Sequence, residues 1–340
     1  MSNLKKNDNL NTAKTSQKDE FYTLISDIEK ELLRYKNHFE NKVVYCNCDD
    51  PRVSKFFQFF SFNFEKYKLK KLITTCYKNQ NVDLFTNKDS EKSICLEYYG
   101  DTNGNRVPDL DEIGIKYLKG DGDFRSKESI ELLMESDIVV TNPPFSLFRE
   151  YINQLIEYDK KFVVIGSLNA LTTKEIFKLI KEDKIWLGYN LVKKFEIPEY
   201  YEHNSITYQD GVRFAVFGNI CWYTNLDIEK RYNDFLIPYK TYYGNEKEYP
   251  EYDNFNCIEV PKISLIPMDY EGVMGVPVTF LDKYNPNQFE IIGADYDVKL
   301  GLLPELCKQD WTGKIDRAYL NGKRLYSRLF IKYKLKQNEN

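Results

Sequence analysis

The nine residues Asp137-Ile138-Val139-Val140-Thr141-Asn142-Pro143-Pro144-Phe145 leave this chain little choice of fold. Ile138, Val139 and Val140 form a β-branched run of the kind found in a parallel strand buried on both faces. Pro143 disfavours the helical region for the residue before it, which holds Asn142 extended at the strand's carboxyl end, the edge where open α/β sheets collect their ligands. Behind the turn, apolar residues at 147, 148, 151, 152, 155 and 156 predict an amphipathic helix.

A corner of this kind suits chemistry at an exocyclic amine. The amino lone pair of adenine is delocalised into the ring, and the nitrogen becomes nucleophilic when acceptors hold its two N–H groups. Asn142 Oδ1 can accept one and the Pro143 carbonyl the other, while Pro143 and Pro144 stiffen the turn without adding backbone donors. Phe145 can stack on a base turned out of its duplex. A plainer reading is a proline-terminated strand whose Asn caps the next helix. The aromatic in fourth place, with a buried strand before it and an amphipathic helix after it, favours catalysis.

A chain of 340 residues can bury one sizeable core and a smaller second one. With 42% hydrophobic and 29% charged residues it reads as soluble and globular. No apolar run approaches the roughly 20 residues of a membrane helix, and the polar N-terminus has no signal-peptide core, so no membrane association and a cytoplasmic location are expected. Seven scattered cysteines suit a reducing compartment. Cys46 and Cys48 stand as C-x-C rather than C-x-x-C, and with two histidines in the whole chain no metal site is expected. A net charge of −4 argues against indiscriminate coating of nucleic acid but leaves room for a local basic face. From Trp311 onward there are eight Lys or Arg against two acids, which is either such a face or a solvated tail.

Residues 1–18 are expected to be disordered. Helical spacing at 21, 24, 25, 28, 32, 35 and 39 predicts a first helix ending near Glu40. The stretch from Lys42 to Cys48 predicts the first parallel strand. The acids that close it, Asp49 and Asp50, suit a ribose or an ammonium group, or equally cap the helix that begins at Pro51. No glycine-rich nucleotide loop is present. A second strand is expected at 71–77 and a third at 115–119, with 79–113 between them as a polar insertion carrying a hairpin near 94–98. Inside it Asp101 to Glu112 imitates a calcium loop, but Arg106 stands where glycine is required and Pro108 interrupts, so a polar turn is the better account.

The third strand runs into Gly120-Asp121-Gly122-Asp123-Phe124. Its glycines permit close backbone approach, an Asp can accept from an adenine amino group and Phe124 can cover the ring; alone, it is also a generic turn. Further strands are expected at 162–166, 185–189, 212–217 and 220–224, the last two as a hairpin around Gly218-Asn219, with a capping box at Thr172 and Glu175. Alternating strands and helices predict a doubly wound sheet. Past about Asn225 the chain turns Tyr-, Pro- and Asn-rich, a loop-rich α+β lobe. Asn321-Gly322-Lys323-Arg324 predicts a cationic hairpin turn, and the strand from Leu325 to Lys334 sets Arg328, Lys332 and Lys334 on one face that could meet phosphates.

Four blocks in this order resemble the adenine-specific DNA methyltransferases of the EcoRI modification-methylase type: Asp19-Glu20-Phe21-Tyr22-Thr23, Val44-Tyr45-Cys46-Asn47-Cys48-Asp49-Asp50-Pro51, Gly120-Asp121-Gly122-Asp123-Phe124-Arg125-Ser126, and Thr141-Asn142-Pro143-Pro144-Phe145-Ser146-Leu147-Phe148. The resemblance runs from about residue 18 to the end and includes Gly272-Val273-Met274-Gly275-Val276-Pro277. It implies a class I S-adenosylmethionine-dependent methyltransferase, with a Rossmann-like catalytic domain over 19–225 and a smaller α+β target-recognition region over 226–340. Carried over by position, Tyr22 and Thr23 lie near the methionine moiety. Asp49 and Asp50 lie near the amino or ribose groups, Asp123 and Phe124 hold the cofactor's adenine, with Cys46, Asn47, Gly120 and Asp121 also expected to bind the cofactor, and Asn142 to Phe145 hold the target base. Lys323, Arg324, Arg328 and Lys332 are the expected contacts to double-stranded DNA. The implied activity is N6-methylation of a flipped-out adenine, in restriction-modification beside a separate endonuclease or as an orphan or mobile-element methylase. Methylation of RNA adenine or of a protein glutamine amide, or DNA binding by this fold without turnover, remain open alternatives.

Overall fold

The computed structural model describes residues 22–48, 54–75, 93–109, 111–197, 204–233 and 235–334. The expected disordered segment 1–18 and the acids Asp49 and Asp50 lie outside them. Two compact units are present, one of Met1–Ala170 with Ile185–Leu226 and one of Leu171–Lys184 with Asp227–Asn340. The second therefore starts close to the expected change of texture near 225 and also takes in a short upstream segment.

In the first unit the chain runs β1 (Tyr22–Thr23), α1 (Ile25–Leu32), β2 (Val43–Cys46), α2 (Lys55–Phe62), β3 (Lys71–Thr75), β4 (Ile94–Tyr98), β5 (Ile113–Tyr117), α3 (Lys127–Glu135), β6 (Ile138–Thr141), α4 (Phe148–Glu157), β7 (Lys161–Ser167), β8 (Trp186–Glu196), β9 (Ile206–Gln209) and β10 (Val212–Thr224). All ten strands join one sheet in the order β1-β8-β10-β7-β6-β2-β3-β4-β5, with β9 on β10. Its centre is parallel, β3-β2-β6-β7, and those strands are the apolar runs legible in the sequence. Every residue of β2, β3 and β6 is buried, as a strand covered on both faces requires. The chain steps outward from β2 to β3 and then returns to the other side of β2 as β6, so strand order reverses between β2 and β6. Crevices at such reversals hold the ligands of doubly wound sheets.

Outside the parallel centre the pairing differs from expectation. β4 lies inside the sheet, antiparallel to β3 and β5, so the polar excursion 79–113 contributes a sheet strand rather than only an insertion. β10 is one long strand, antiparallel to both β7 and β8. The expected hairpin at Gly218-Asn219 is instead a bulge, where Val216 to Ile220 of β10 face Lys194 to Val192 of β8. Asn219 Nδ2 donates to Ser167 Oγ at 3.2 Å across the sheet. The real hairpin lies one element earlier, at Asp210-Gly211, where both residues take positive φ and join β9 to β10.

A buried carboxylate fastens α1 to β8. Glu31 accepts from the Tyr35 hydroxyl, from the amides of Tyr189 and Asn190, and from Asn190 Nδ2, all within 2.9 Å. Burial pushes its carboxyl above the usual range against the pull of those donors. The Asp101–Glu112 loop closes on itself: Asp101 accepts from the amides of Gly104 and Arg106, and Asp109 from the side chains of Asn103 and Asn105. Arg106 adopts φ 62°, so the arginine takes the left-handed turn that glycine was expected to be needed for. Among the described residues no group of three or more His, Cys, Asp or Glu could hold a metal, and no helix is long and apolar enough to cross a membrane.

The second unit contains α5 (Lys174–Lys181) and a four-stranded sheet, β11 (Ile258–Glu259), β12 (Met274–Pro277), β16 (Arg328–Tyr333) and β13 (Phe289–Ala294) in that spatial order. Beside it stands the hairpin of β14 (Tyr319–Leu320) and β15 (Lys323–Arg324). Asn321 and Gly322 both take positive φ at its tip, as the sequence implied, and Asp253 accepts from both of their amides. A Cβ on Gly275 would overlap the Tyr252 ring, which fixes glycine in the middle of β12.

Candidate active site at the switch point of the sheet

The carboxyl ends of β2 and β6 meet where the strand order reverses, and the residues that leave those ends are Asn47 and Asn142. Asn142 is buried to 9% exposure and Asn47 to 4%. The two ends are tied directly: Thr141, the last residue of β6, donates its hydroxyl to the Asn47 carbonyl. Beyond Asn142 the Pro144 carbonyl accepts from the Leu147 amide at 3.0 Å and closes the turn. Phe145 is half-buried.

Helix α4 sits close against the sheet because β7 offers it a glycine. A Cβ on Gly166 would overlap the ring of Phe148, the first residue of the helix. From this seat α4 reaches the Gly120–Phe124 turn twice and the following Arg125 once. Its Tyr151 ring meets Phe124 edge-on with centroids 5.0 Å apart, its Gln154 Nε2 donates to the Phe124 carbonyl at 3.1 Å, and its Glu150 lies 3.3 Å from Arg125 Nη1. Tyr151 also donates its hydroxyl to Asn47 Oδ1. Phe124 is 5% exposed, and the Arg125 guanidinium lies 5.2 Å from its ring centroid.

Within that turn Gly122 takes φ 77°, and Glu128 accepts from the amides of Lys119 and Gly120. Asp121 Oδ1 accepts from the Asp123 amide at 3.0 Å. Asp123 is committed to Arg125: Oδ1 accepts from the amide and from Nε, and Oδ2 accepts from Nη2 at 2.7 Å. Burial would raise the Asp123 carboxyl, but these bonds and the guanidinium charge hold it below the usual range. Three of its four acceptor positions are filled, which leaves one on Oδ2.

Antiparallel pairing brings in the first block. β1 pairs with the end of β8, Tyr22 opposite Glu196 and Thr23 opposite Phe195. The Phe195 ring stands edge-on to Phe145 at 6.3 Å and to Phe217 at 5.5 Å. The Tyr22-Thr23 pair and the Asn-Pro-Pro-Phe corner thus share one aromatic wall. Thr23 is 2% exposed, and its hydroxyl oxygen is buried without a hydrogen-bond partner. A buried hydroxyl in that state fits a site completed by a polar ligand. Cys46 is buried at the end of β2, and Cys48 takes φ 69° just beyond it.

The described parts of all four blocks therefore converge, joined by Thr141, Tyr151 and Phe195, and of these the sequence reading missed the part of Tyr151 and Phe195. Tyr151 falls at helical spacing and reads as core. Phe195 lies in a strand with no motif.

In the second unit the expected basic face loses Arg328 to the interior. Even spacing puts Phe330 on the same face as Arg328 and Lys332, and Phe330 belongs to the core with Tyr252, Phe255 and Val298. At Arg328 and Phe330 that face turns inward, whereas Lys332 is partly exposed and Lys334 exposed. Arg328 makes two-pronged contact with the buried Glu259, Nη2 to Oε1 at 2.7 Å and Nε to Oε2 at 3.0 Å, and Tyr252 donates to the same carboxylate. Its charge is spent inside the fold. Arg324 pairs with Asp316 at 2.7 Å but stays half-exposed, Lys332 is partly exposed, and Lys323 is exposed with no ion pair among the described residues.

A doubly wound sheet with an Asn-Pro-Pro-aromatic corner at its switch point defines a class I methyltransferase that acts on a nitrogen. Comparison with known proteins narrows the class. The chain belongs to the family described as adenine-specific methyltransferase EcoRI, whose model matches residues 9–334. It is 52% identical over 289 residues to the type II methyltransferase M.EcoRI of Escherichia coli, covering 83% of this chain and 88% of that protein. It is 40% identical over 333 residues to the type II methyltransferase M.MgeORF184P of Mycoplasma genitalium, covering 95% and 98%, and 37% identical over 332 residues to M.MpnI of Mycoplasma pneumoniae, covering 95% and 97%. No solved structure matches the chain.

Proposed function

We propose that this adenine-specific DNA methyltransferase transfers the methyl group of S-adenosylmethionine to the N6 amine of an adenine flipped out of a specific double-stranded site. The observation that carries the reading is the meeting of Asn142 and Asn47 at the strand reversal, with Phe145 beside them. Asn142 Oδ1 and the Pro143 carbonyl accept the two amine N–H groups and raise electron density on nitrogen. Phe145 stacks on the flipped ring. Tyr22, Thr23, Asn47, Phe124 and the turn from Gly120 to Asp123 hold the cofactor, and its polar groups would satisfy the buried Thr23 hydroxyl. When bound, S-adenosylmethionine supplies a methyl group on a positively charged sulfur, open to attack by a nitrogen lone pair.

Of the expected DNA contacts, Lys323, Arg324 and Lys332 keep exposure with which to meet phosphate in the second unit, which acts as the target-recognition region. A cytoplasmic enzyme of this kind protects the sites of a separate restriction endonuclease. The test is incubation with unmodified genomic DNA and tritiated cofactor, followed by mapping of methylated adenines by single-molecule sequencing. The expected result is methyl-adenine at one short motif. Transfer to RNA or to a protein glutamine but not to DNA would overturn the reading.

A further inference from the structure

We infer that Tyr151 is a positioning residue that fixes the cofactor side of the site to the base-binding strand, through one hydroxyl and one ring face. The inference rests on the S-adenosylmethionine reading above. Asn47 has two acceptor oxygens, and both are held by the segment that carries Asn142. Its carbonyl takes the Thr141 hydroxyl, from the residue before Asn142, and its Oδ1 takes the Tyr151 hydroxyl, from the helix after Phe145. The same Tyr151 ring props Phe124 from the side at 5.0 Å. One side chain on α4 therefore sets two blocks of the cofactor site that lie far apart in sequence.

Tyr151 is fully buried, so its hydroxyl has no water to fall back on. Burial also pushes the phenol far above its ordinary value, which keeps it a donor throughout the working pH range. Without that donor Asn47 Oδ1 is stranded in a dry site, and the carboxamide must rotate or draw in water. Either response moves the carboxyl end of β2. The acceptors at Asn142 and Pro143 lie on the other strand and keep their geometry.

A residue that only filled the core would show its loss in folding stability. A positioning residue shows it in cofactor affinity. Tyr151→Phe keeps the ring against Phe124 and removes the hydroxyl alone. On the full chain we expect the Kd for S-adenosylhomocysteine and the KM for S-adenosylmethionine to rise about tenfold, the scale of one buried hydrogen bond. At saturating cofactor, kcat on duplex DNA should fall far less, and DNA affinity should hold. Asn47→Ala should raise the Kd at least as far, since it also removes a residue placed at the cofactor, and the double variant should be no worse than Asn47→Ala alone, because the Tyr151 bond is already lost there. Unchanged cofactor affinity in Tyr151→Phe, additive losses in the double variant, or a loss of active fraction that tracks a lowered Tm would overturn the inference. Failure of the unsubstituted protein to bind S-adenosylhomocysteine would instead overturn the cofactor reading beneath it.

Discussion

Truncating Asn142 to alanine removes a side-chain acceptor from the end of β6 and leaves the Pro143 carbonyl and the buried strand in place. An acceptor aimed at a nitrogen that becomes nucleophilic acts mainly in the transition state, and losing one such group costs about 100- to 1,000-fold in kcat. Asn142→Ala should therefore suppress methyl transfer to that extent while the Kd for S-adenosylhomocysteine changes little. Turnover close to that of the unsubstituted protein would remove Asn142 from the chemistry. This residue was legible because proline restricts its neighbour, and that restriction is local. Tyr151 was not, because its hydroxyl partner Asn47 lies 104 residues away and nothing in the helix pattern distinguishes a phenol that donates from one that packs.

Elements hold the site by close approach. Gly166 lets α4 lie against β7, and a methyl group there must displace the Phe148 ring, which itself rests 4.9 Å from Tyr223. Gly166→Ala should cost about 1–3 kcal/mol by overpacking and lower activity beyond what the loss of stability explains, since it moves the helix that bears Tyr151. Thermal unfolding and kcat, measured together, test that. The Asp123–Arg125 pair gives the same region a pH signature. The carboxyl is held below its ordinary 3.8, so its contribution is present above that value and lost as pH falls through the depressed one. Arg125→Met leaves burial opposed only by the hydrogen bond from the residue-125 amide, and the acid limb of the Tm profile should then begin at higher pH. An unmoved limb would show that Asp123 draws nothing from its partner. The parallel strands could be read from their β-branched runs because burial on both faces marks them. The antiparallel strands were legible too, but not their pairing, because Gly218-Asn219 carries a hairpin signature whose outcome is set by pairing with β7 and β8.

Across the whole molecule the charge is slightly acidic, at −4, while the substrate is a polyanion, so attraction must come from cations not already neutralised within the fold. The surplus of cations after Trp311 was plain in the sequence, but which of them are free was not. Arg317 approaches the buried Asp295 at 3.5 Å, and Arg328 is locked to Glu259. These acids lie 22 and 69 residues upstream, beyond the reach of any local pattern. The two kinds of cation should separate under salt. Each lost phosphate contact lowers the slope of log affinity against log salt by about 0.9, so Lys323→Ala should flatten the slope for duplex DNA by up to that amount without shifting Tm. Arg328→Ala should leave Glu259 buried and unpaired, costing about 3–5 kcal/mol of folding stability. Its folded fraction should keep the original salt slope. If Arg328→Ala flattened the slope and left Tm unchanged, Arg328 would be a phosphate ligand and the inward-facing assignment of β16 would be wrong.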